Sequence, residues 1–156
     1  MKTHNILSID EFKTHIGSNS RLLGIDPGNK NIGIAICDEN HAVATPLRII
    51  QKNKFENFLE EIKIIIAENN IKGIIIGNPI NMDGSLGSSA QSVNDVASNI
   101  SKSINLPVIL WDERLSTVGA FNLSSLLDVN VSKRVKTIDQ NAAAFILQGA
   151  IDFLNN

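Results

Sequence analysis

The chain has 156 residues, of which 43% are hydrophobic, 4% are aromatic and one, Cys37, is a cysteine; its formal net charge is −2. This length suits a domain with a buried core, and the apolar runs are too short for a transmembrane helix, which needs ~20 residues. The composition excludes an internal disulfide, a cysteine-rich zinc site and a strongly basic nucleic-acid binder. Because the N-terminus also lacks a signal-peptide pattern, we expect a cytoplasmic protein with no membrane contact.

The first 20 residues are polar and end in a loop signal, Gly17–Ser20. We predict an N-terminal extension over residues 1–20, with one short helix at Ile9–Ile16. Regular patterning begins at Arg21, and no internal repeat or linker divides the chain after it. We therefore predict a single domain over residues 21–156.

Three short strands are predicted next. Leu22–Asp26 is an apolar run that ends at a Pro-Gly-Asn turn, and Ile32–Cys37 follows it closely enough for a hairpin. Ala42–Ile50 is the third predicted strand. Pro46 cannot donate a hydrogen bond to a sheet, so this strand is expected at an edge or with a bulge.

The rest of the chain alternates between amphipathic helices and short buried strands. Gly73–Gly77 and Leu106–Trp111 are continuously apolar, as in strands covered on both faces. A polar loop is predicted at Asp128–Lys136. Four helices are predicted in this part of the chain. The first has one apolar face with Phe55, Phe58, Leu59, Ile62, Ile65 and Ile66, and the second has one with Ala90, Val93, Val96, Ala97 and Ile100. The third is predicted at about Ser116–Leu127 and the fourth at about Ile138–Leu154, with Ala142, Phe145, Ile146, Gly149 and Phe153 on one face.

The predicted order of elements is β-β-β-α-β-α-β-α-α. Three strands in hairpin succession, followed by strands that alternate with helices, indicate an α/β fold. We predict a five-stranded mixed sheet, with three antiparallel strands and then parallel strands, and with helices on both faces.

Acidic residues lie where two predicted strands end and where the last helix begins. Asp26 ends the first strand, Asp112 and Glu113 end the last one, and Asp139 lies in the first helical turn. If the first strand is central and the later strands run parallel to it, these positions share one edge of the sheet. Each position also has a structural explanation. Asp26 can cap the turn that follows it, and Asp139 is favoured by the helix dipole in a first helical turn. Asp112 and Glu113 can be surface charges that pair with Arg114. Their coincidence favours a site.

Three converging carboxylates are suited to metal-assisted hydrolysis of a phosphodiester. Two divalent ions about 3.5–4 Å apart can stabilise both the attacking and the leaving oxygen. Mg²⁺ prefers oxygen ligands and binds through a few carboxylates together with substrate phosphates. We therefore predict a metal-dependent nuclease with Mg²⁺ or Mn²⁺ as cofactor.

Basic residues near these acidic positions are candidates for phosphate contacts, although a basic loop is also compatible with simple solvation. The loop Asn81–Gly87 either contacts nucleic acid, or positions the metal site through Asp83, or is a turn in which Ser88 caps the next helix. The low aromatic content disfavours an aromatic stacking platform for bases. The candidate phosphate contacts are Lys30, Arg114, Lys133, Arg134 and Lys136.

Four motifs occur in a specific order: Leu23–Ala35, Gly77–Ser85, Asp112–Thr117 and Ile138–Ala144. With them, the chain resembles the YqgF family, also called RuvX, from Leu22 nearly to the C-terminus. The resemblance implies a ribonuclease H-like fold related to Holliday-junction resolvases. It also implies a cytoplasmic nuclease that matures the 5′ end of pre-16S ribosomal RNA.

The resemblance places the acidic site on Asp26, Glu113 and Asp139, as catalytic residues and metal ligands, with Asp112 in reserve. The chain departs from the family pattern at two positions. Asn78 replaces the leucine of the family's usual Gly-Leu-Pro, and Asn29 replaces a small hydroxyl residue that is common in the first loop. Neither departure removes a carboxylate, but Asn78 can alter how the adjacent loop packs or meets substrate.

The leading hypothesis is an endonuclease on structured RNA, chiefly pre-ribosomal RNA, that acts as a monomer or weak homodimer. A resolvase of four-way DNA is the alternative within the same chemistry, and an obligate two-fold dimer would favour it. A small-molecule phosphotransferase is suggested by Asp26–Gly33, which resembles the phosphate loop of actin-like ATPases, but 156 residues hold only one such domain. A non-catalytic nucleic-acid-binding module is opposed by the intact acidic residues.

Overall fold

The computed structural model describes residues 6–17, 20–27, 31–51, 55–78, 88–112 and 131–155. Within the last helix, side chains are described from residue 142 onward. The predicted helix at about Ser116–Leu127 lies outside the described residues. The described elements are α1 (Ile9–Ile16), β1 (Arg21–Pro27), β2 (Asn31–Cys37), β3 (Ala44–Gln51), α2 (Phe55–Asn69), β4 (Ile71–Asn78), α3 (Ser88–Ser103), β5 (Val108–Asp112) and α4 (Val131–Leu154).

The strands form one five-stranded mixed sheet in the order β3-β2-β1-β4-β5. β1 is central: it pairs antiparallel with β2 and parallel with β4, β2 pairs antiparallel with β3, and β4 pairs parallel with β5. The predicted mixed sheet is confirmed. Because β1, β4 and β5 run in the same direction, their carboxyl ends meet at one edge of the sheet.

Each face of the sheet carries a hydrophobic core. On one face, α2 and α3 pack on strand side chains that include Leu23 and Ile25. On the other face, α1 and α4 cover Leu22 and Ala35. Each fully buried leucine or isoleucine stabilises the fold by about 1.5–3 kcal/mol. We refer to these as the α2/α3 face and the α4 face; because strand side chains alternate, each strand position can be assigned to one of them.

The short helix predicted at Ile9–Ile16 is confirmed, and it packs on the sheet. Ser8 and Glu11 form a reciprocal capping box at its start. Phe12 is fully buried against the α4 face, where a Cβ at Gly73 would lie only 2.8 Å from the Phe12 ring. This segment therefore contributes to the core, while a domain boundary after residue 20 stays a prediction.

The β2–β3 hairpin is closed by Asp38, whose carboxylate accepts hydrogen bonds from the backbone N–H groups of Val43 at 2.7 Å, Ala42 at 2.8 Å and Asn40 at 3.1 Å. The hydrogen bond from Val43 is the main reason that the pKa of Asp38 lies below its usual value. β3 is an edge strand, and its register with β2 shifts beside Pro46. Both structural expectations from the proline are confirmed.

The last helix begins earlier than predicted. α4 starts at Val131, so the predicted polar loop Asp128–Lys136 is wrong from Val131 onward. Lysine and arginine are good helix formers, and Val131, Val135 and Ile138 repeat at helical spacing. None of the helices in the described residues combines the length and apolar character needed to cross a bilayer.

The buried face of α4 differs in part from the predicted one, although Ile146 is buried as expected. Phe153 was expected in the core but is 50% exposed, with its ring against the edge of Trp111. The helix instead buries residues at positions i, i+4, i+7 and i+11, which include small side chains that let it approach the sheet closely. These residues are Ala143, Leu147, Ala150 and Leu154.

Gly24→Ala is expected to destabilise the fold, because α4 lies directly on this position. A Cβ at Gly24 would lie 2.8 Å from the Cβ of Leu147 and 3.2 Å from the carbonyl oxygen of Ala143. We expect the free energy of unfolding, measured in urea, to fall by about 1–3 kcal/mol. Gly33→Ala is the matched control, since its Cβ would meet other atoms only at 3.4 Å or more. Equal losses of stability in both variants would contradict the close packing at Gly24.

Candidate active site

Asp26 lies at the carboxyl end of β1, on the α4 face. It is partly buried and pairs across the hairpin with Gly33 of β2. A Cβ built on Gly33 would lie 3.6 Å from the Cβ of Asp26 and 3.4 Å from that of Ala143 in α4. The three positions therefore adjoin one another, and the absence of a side chain at Gly33 leaves space beside the aspartate.

A cleft of about 250 Å³ opens at this point, between the end of the hairpin and α4. Asp26 and Arg48 are its charged lining residues. Arg48 is exposed, and its guanidinium is directed to the α2/α3 face, where its Nη1 atom lies 3.6 Å from Oε1 of Glu61 in α2. The described lining consists of Asp26, Asn31, Gly33, Ile34, Pro46, Leu47, Arg48, Ile49, Ala142 and Ala143.

Position 139 of α4 is carried towards the same edge. Leu147 lies over Gly24 and Ala143 lies over Gly33, so α4 runs antiparallel to β1. Position 139 is about one helical turn before Ala143, or ~6 Å further towards the carboxyl edge, and shares its helix face. The backbone thus brings β1 and the predicted Asp139 position together, although the carboxylate of Asp139 lies outside the described side chains.

β5 ends at Asp112, the first of two adjacent acidic residues. Asp112 is partly buried and pairs with Asn78 of β4. Trp111 packs in the α4 core, so alternation places Asp112 on the α2/α3 face, opposite the face of Asp26. Glu113 lies outside the described residues.

The remaining predicted site residues are only partly covered. Among the described residues, no three His, Cys, Asp or Glu side chains cluster as a metal site would require. The metal site and the phosphate contacts therefore stay predictions. Lys30, Arg114 and Asp83 lie outside the described residues, whereas Lys133, Arg134 and Lys136 fall in the first two turns of α4.

The sequence did not single out several polar and apolar residues near this edge. Asn31, Arg48 and Ile49 line the cleft, and the signal that could have found Ile49 is an apolar residue on a predicted edge strand. Asn78 was noted only as a family departure. Its Oδ1 atom is buried and accepts no hydrogen bond within the part of the chain that the structure describes.

Cys37 is not a candidate nucleophile or metal ligand. The thiol is 3% exposed, and the backbone N–H of Leu22 donates to its Sγ atom at 3.3 Å. Burial disfavours the charged thiolate and raises the pKa of Cys37 to about 11.

We expect the native protein at pH 8 to react with a thiol reagent at least about a hundredfold more slowly than the urea-unfolded protein, since only the thiolate reacts. Absorbance of the released chromophore measures both rates, and Cys37→Ser corrects for background. Similar rates in the two states would show that the thiol is accessible.

Comparison with known proteins gives one family. Residues 20–153 match the model of the RuvX family, which is described as a Holliday junction resolvase. A relative from Pelagibacter ubique, named "Putative pre-16S rRNA nuclease", is 71% identical over 151 residues, which are 97% of this chain and 100% of that protein. A relative of the same name from Rhodobacter capsulatus is 42% identical over 146 residues, which are 94% of this chain and 92% of that protein.

Solved structures agree on the fold. Thermus thermophilus RuvC in complex with a Holliday junction substrate superposes with a TM-score of 0.55 at 12% identity, covering 86% of this chain and 94% of that chain. The yeast mitochondrial Holliday junction resolvase Ydc2 superposes with a TM-score of 0.51 at 14% identity, covering 94% of this chain and 84% of that chain. The predicted ribonuclease H-like fold is confirmed.

Proposed function

The chain belongs to the RuvX family, and we propose on that basis that it is a divalent-metal-dependent endonuclease that hydrolyses phosphodiester bonds in nucleic acid. The observation that supports this most directly is the position of Asp26, in an open cleft at the carboxyl edge of the sheet and beside α4. Active sites of open α/β sheets lie at this edge.

We propose that the substrate is the 5′ region of pre-16S ribosomal RNA. Two relatives, at 71% and 42% identity over nearly the whole chain, carry the name of a nuclease for that RNA. A four-way DNA junction is the second candidate, because the family description and the RuvC complex both name such junctions. We also propose a cytoplasmic protein that acts as a monomer or weak homodimer.

Asp26, Glu113 and Asp139 are the proposed ligands for Mg²⁺ or Mn²⁺. The donor set suits these ions, since all three side chains offer carboxylate oxygens. Asp26 is partly buried in an open cleft, and Gly33 leaves its surroundings free of a neighbouring side chain on β2. When bound, divalent ions supply an acidified water and neutralise charge on the phosphate oxygens.

The chain's own residues orient and hold the substrate. Asp26 is fixed by the central strand, and position 139 by a helix that packs closely on that strand. Lys30, Arg114, Lys133, Arg134 and Lys136 are the proposed phosphate contacts. Such contacts make affinity fall steeply with salt concentration, because bound phosphates release counterions.

The test is a cleavage assay with end-labelled precursor RNA and a labelled four-way DNA junction, each with Mg²⁺, with Mn²⁺ and with a chelator. We expect metal-dependent cutting of the precursor near the 5′ end of the mature sequence. Faster cutting of the junction would establish the resolvase instead. Binding of both substrates without cleavage under any of these conditions would overturn the nuclease and favour a binding module.

A further inference from the structure

β3 exposes large apolar side chains next to Asp26. Ile49 is 59% exposed and Leu47 is 37% exposed, although both lie in a strand. Ile49 pairs with Gly33, which in turn pairs with Asp26, so the three positions form a row across the sheet. Ile50 is buried with the α2/α3 core, so alternation puts Ile49 on the α4 face, at about 10 Å from Asp26 by two strand spacings.

The course of α4 explains why Ile49 and Leu47 stay uncovered. At the start of β3, Gln148 of α4 accepts from the backbone N–H of Ala44 at 2.9 Å and donates to the carbonyl of Ala42 at 3.0 Å. Five residues earlier, Ala143 lies over Gly33 of β2 instead. The helix therefore leaves β3 as the strand approaches Ile49, and a cleft forms between them.

A β-bulge shapes the same cleft. Ile34 pairs with Arg48 and Ala35 pairs with Pro46, so Leu47 is an additional residue in β3 without a Cα partner in β2. Bulges redirect side chains and are frequent beside active sites. The bulge places Leu47 together with Ile49 along the cleft that contains Asp26.

We propose that Ile49 and Leu47 form the floor of a subsite that takes one unpaired nucleobase next to the phosphate that is cut. The proposal rests on the proposed nuclease function. An aliphatic floor can pack against the flat face of any base, while Asn31 offers a polar group at the rim of the same cleft. This subsite would compensate for the low aromatic content of the chain.

The size of the cleft favours a single base over other occupants. A cleft of about 250 Å³ lies below the usual range of small-molecule pockets, ~300–1,000 Å³, and holds no duplex. A stable protein interface buries more than ~1,000 Å², far more than these exposed side chains provide. The cleft is also continuous with Asp26, so a strand whose phosphate lies at the aspartate is positioned to place a neighbouring base on Ile49.

The test measures binding without cleavage, in a chelator and at low salt, by fluorescence anisotropy of a short labelled single strand. RNA and DNA strands of the same sequence are both used. We expect Ile49→Ala to weaken binding by about fivefold, which corresponds to ~1 kcal/mol. Ile49→Met retains an apolar floor and is expected to bind nearly as well as the wild type. Ile64→Ala is the matched control, since Ile64 is 52% exposed but lies in α2.

A base-deletion series shows whether the lost contact is to a base. Each nucleotide of the strand is replaced in turn by an abasic one. In the wild type, one replacement is expected to weaken binding more than the others, and in Ile49→Ala this difference is expected to disappear. If it persists, or if Ile64→Ala weakens binding equally, the subsite is wrong even when cleavage is observed. A base effect that depends on Ile49, together with no cleavage in the separate assay with Mg²⁺ or Mn²⁺, would support the subsite and overturn the nuclease.

Discussion

Asp26→Asn is expected to lower metal-dependent cleavage more than about a hundredfold, while the protein stays folded. Loss of residues that only support metal ligands already costs 10–100-fold, so removal of a charged ligand should cost more. The amide keeps the shape of the carboxylate and removes one negative charge of the proposed metal site. We therefore expect the free energy of unfolding to change by no more than about 1 kcal/mol. Single-turnover rates across a range of Mg²⁺ concentrations, together with urea denaturation, measure both effects.

Asp10→Asn is the control for this substitution. Asp10 is an exposed aspartate in the first turn of α1, remote in the chain from the cleft. Its substitution is expected to leave the cleavage rate within about twofold of the wild-type rate and to lower the free energy of unfolding only slightly. If Asp26→Asn cleaves as fast as Asp10→Asn, Asp26 holds no metal that matters to the reaction, and the proposed site must be abandoned.

The sheet could be predicted because its strands carry strong local signals. The apolar runs of β4 and β5 reflect strands with a core on each side, and Pro46 marks the strand that ends the sheet. Such patterns depend on neighbours within a few residues. The order of the strands then follows from hairpin succession and parallel crossovers, which permit few arrangements.

The packing of α4 could not be predicted in the same way. Hydrophobic periodicity favoured a face with Phe145 and Phe153, yet the helix turns its small residues towards β1. The reason is the approach to Gly24, where only the absence of a side chain lets the backbone of α4 come close. That contact joins distant parts of the chain, so no local pattern records it. The course of α4 also determines the cleft, so an apolar residue on an edge strand could be noticed at Ile49, but its place in the cleft of Asp26 could not be predicted.

Asp112 and Glu113 were equivalent candidates in sequence, and the register of the sheet shows where Asp112 lies. Alternation places Asp112 on the α2/α3 face, away from Asp26, which leaves Glu113 as the proposed ligand. Only the packing of Trp111 against the α4 core shows which parity belongs to the face of Asp26. The family resemblance chose Glu113 without that reason.

Glu113→Gln is therefore expected to lower the cleavage rate more than about a hundredfold, and Asp112→Asn less than about tenfold. Both substitutions replace a carboxylate by an amide at the end of one strand, so each is the control for the other. Single-turnover rates at saturating Mg²⁺ and the Mg²⁺ concentration for half-maximal rate are measured for both. Because Asp112 lies on the α2/α3 face, we expect its substitution to change the free energy of unfolding but to leave the Mg²⁺ concentration for half-maximal rate nearly unchanged.

The opposite order of effects would have a specific structural meaning. Asp112→Asn could abolish cleavage only if Asp112 reached the α4 face, which requires a bulge between Trp111 and Asp112 that reverses the alternation. The described pairing of Asp112 with Asn78, in register with Trp111 and Gly77, contains no such bulge. A large effect at Asp112 would thus contradict the register of β5 as well as the proposed ligand set, whereas a large effect at Glu113 alone would support both.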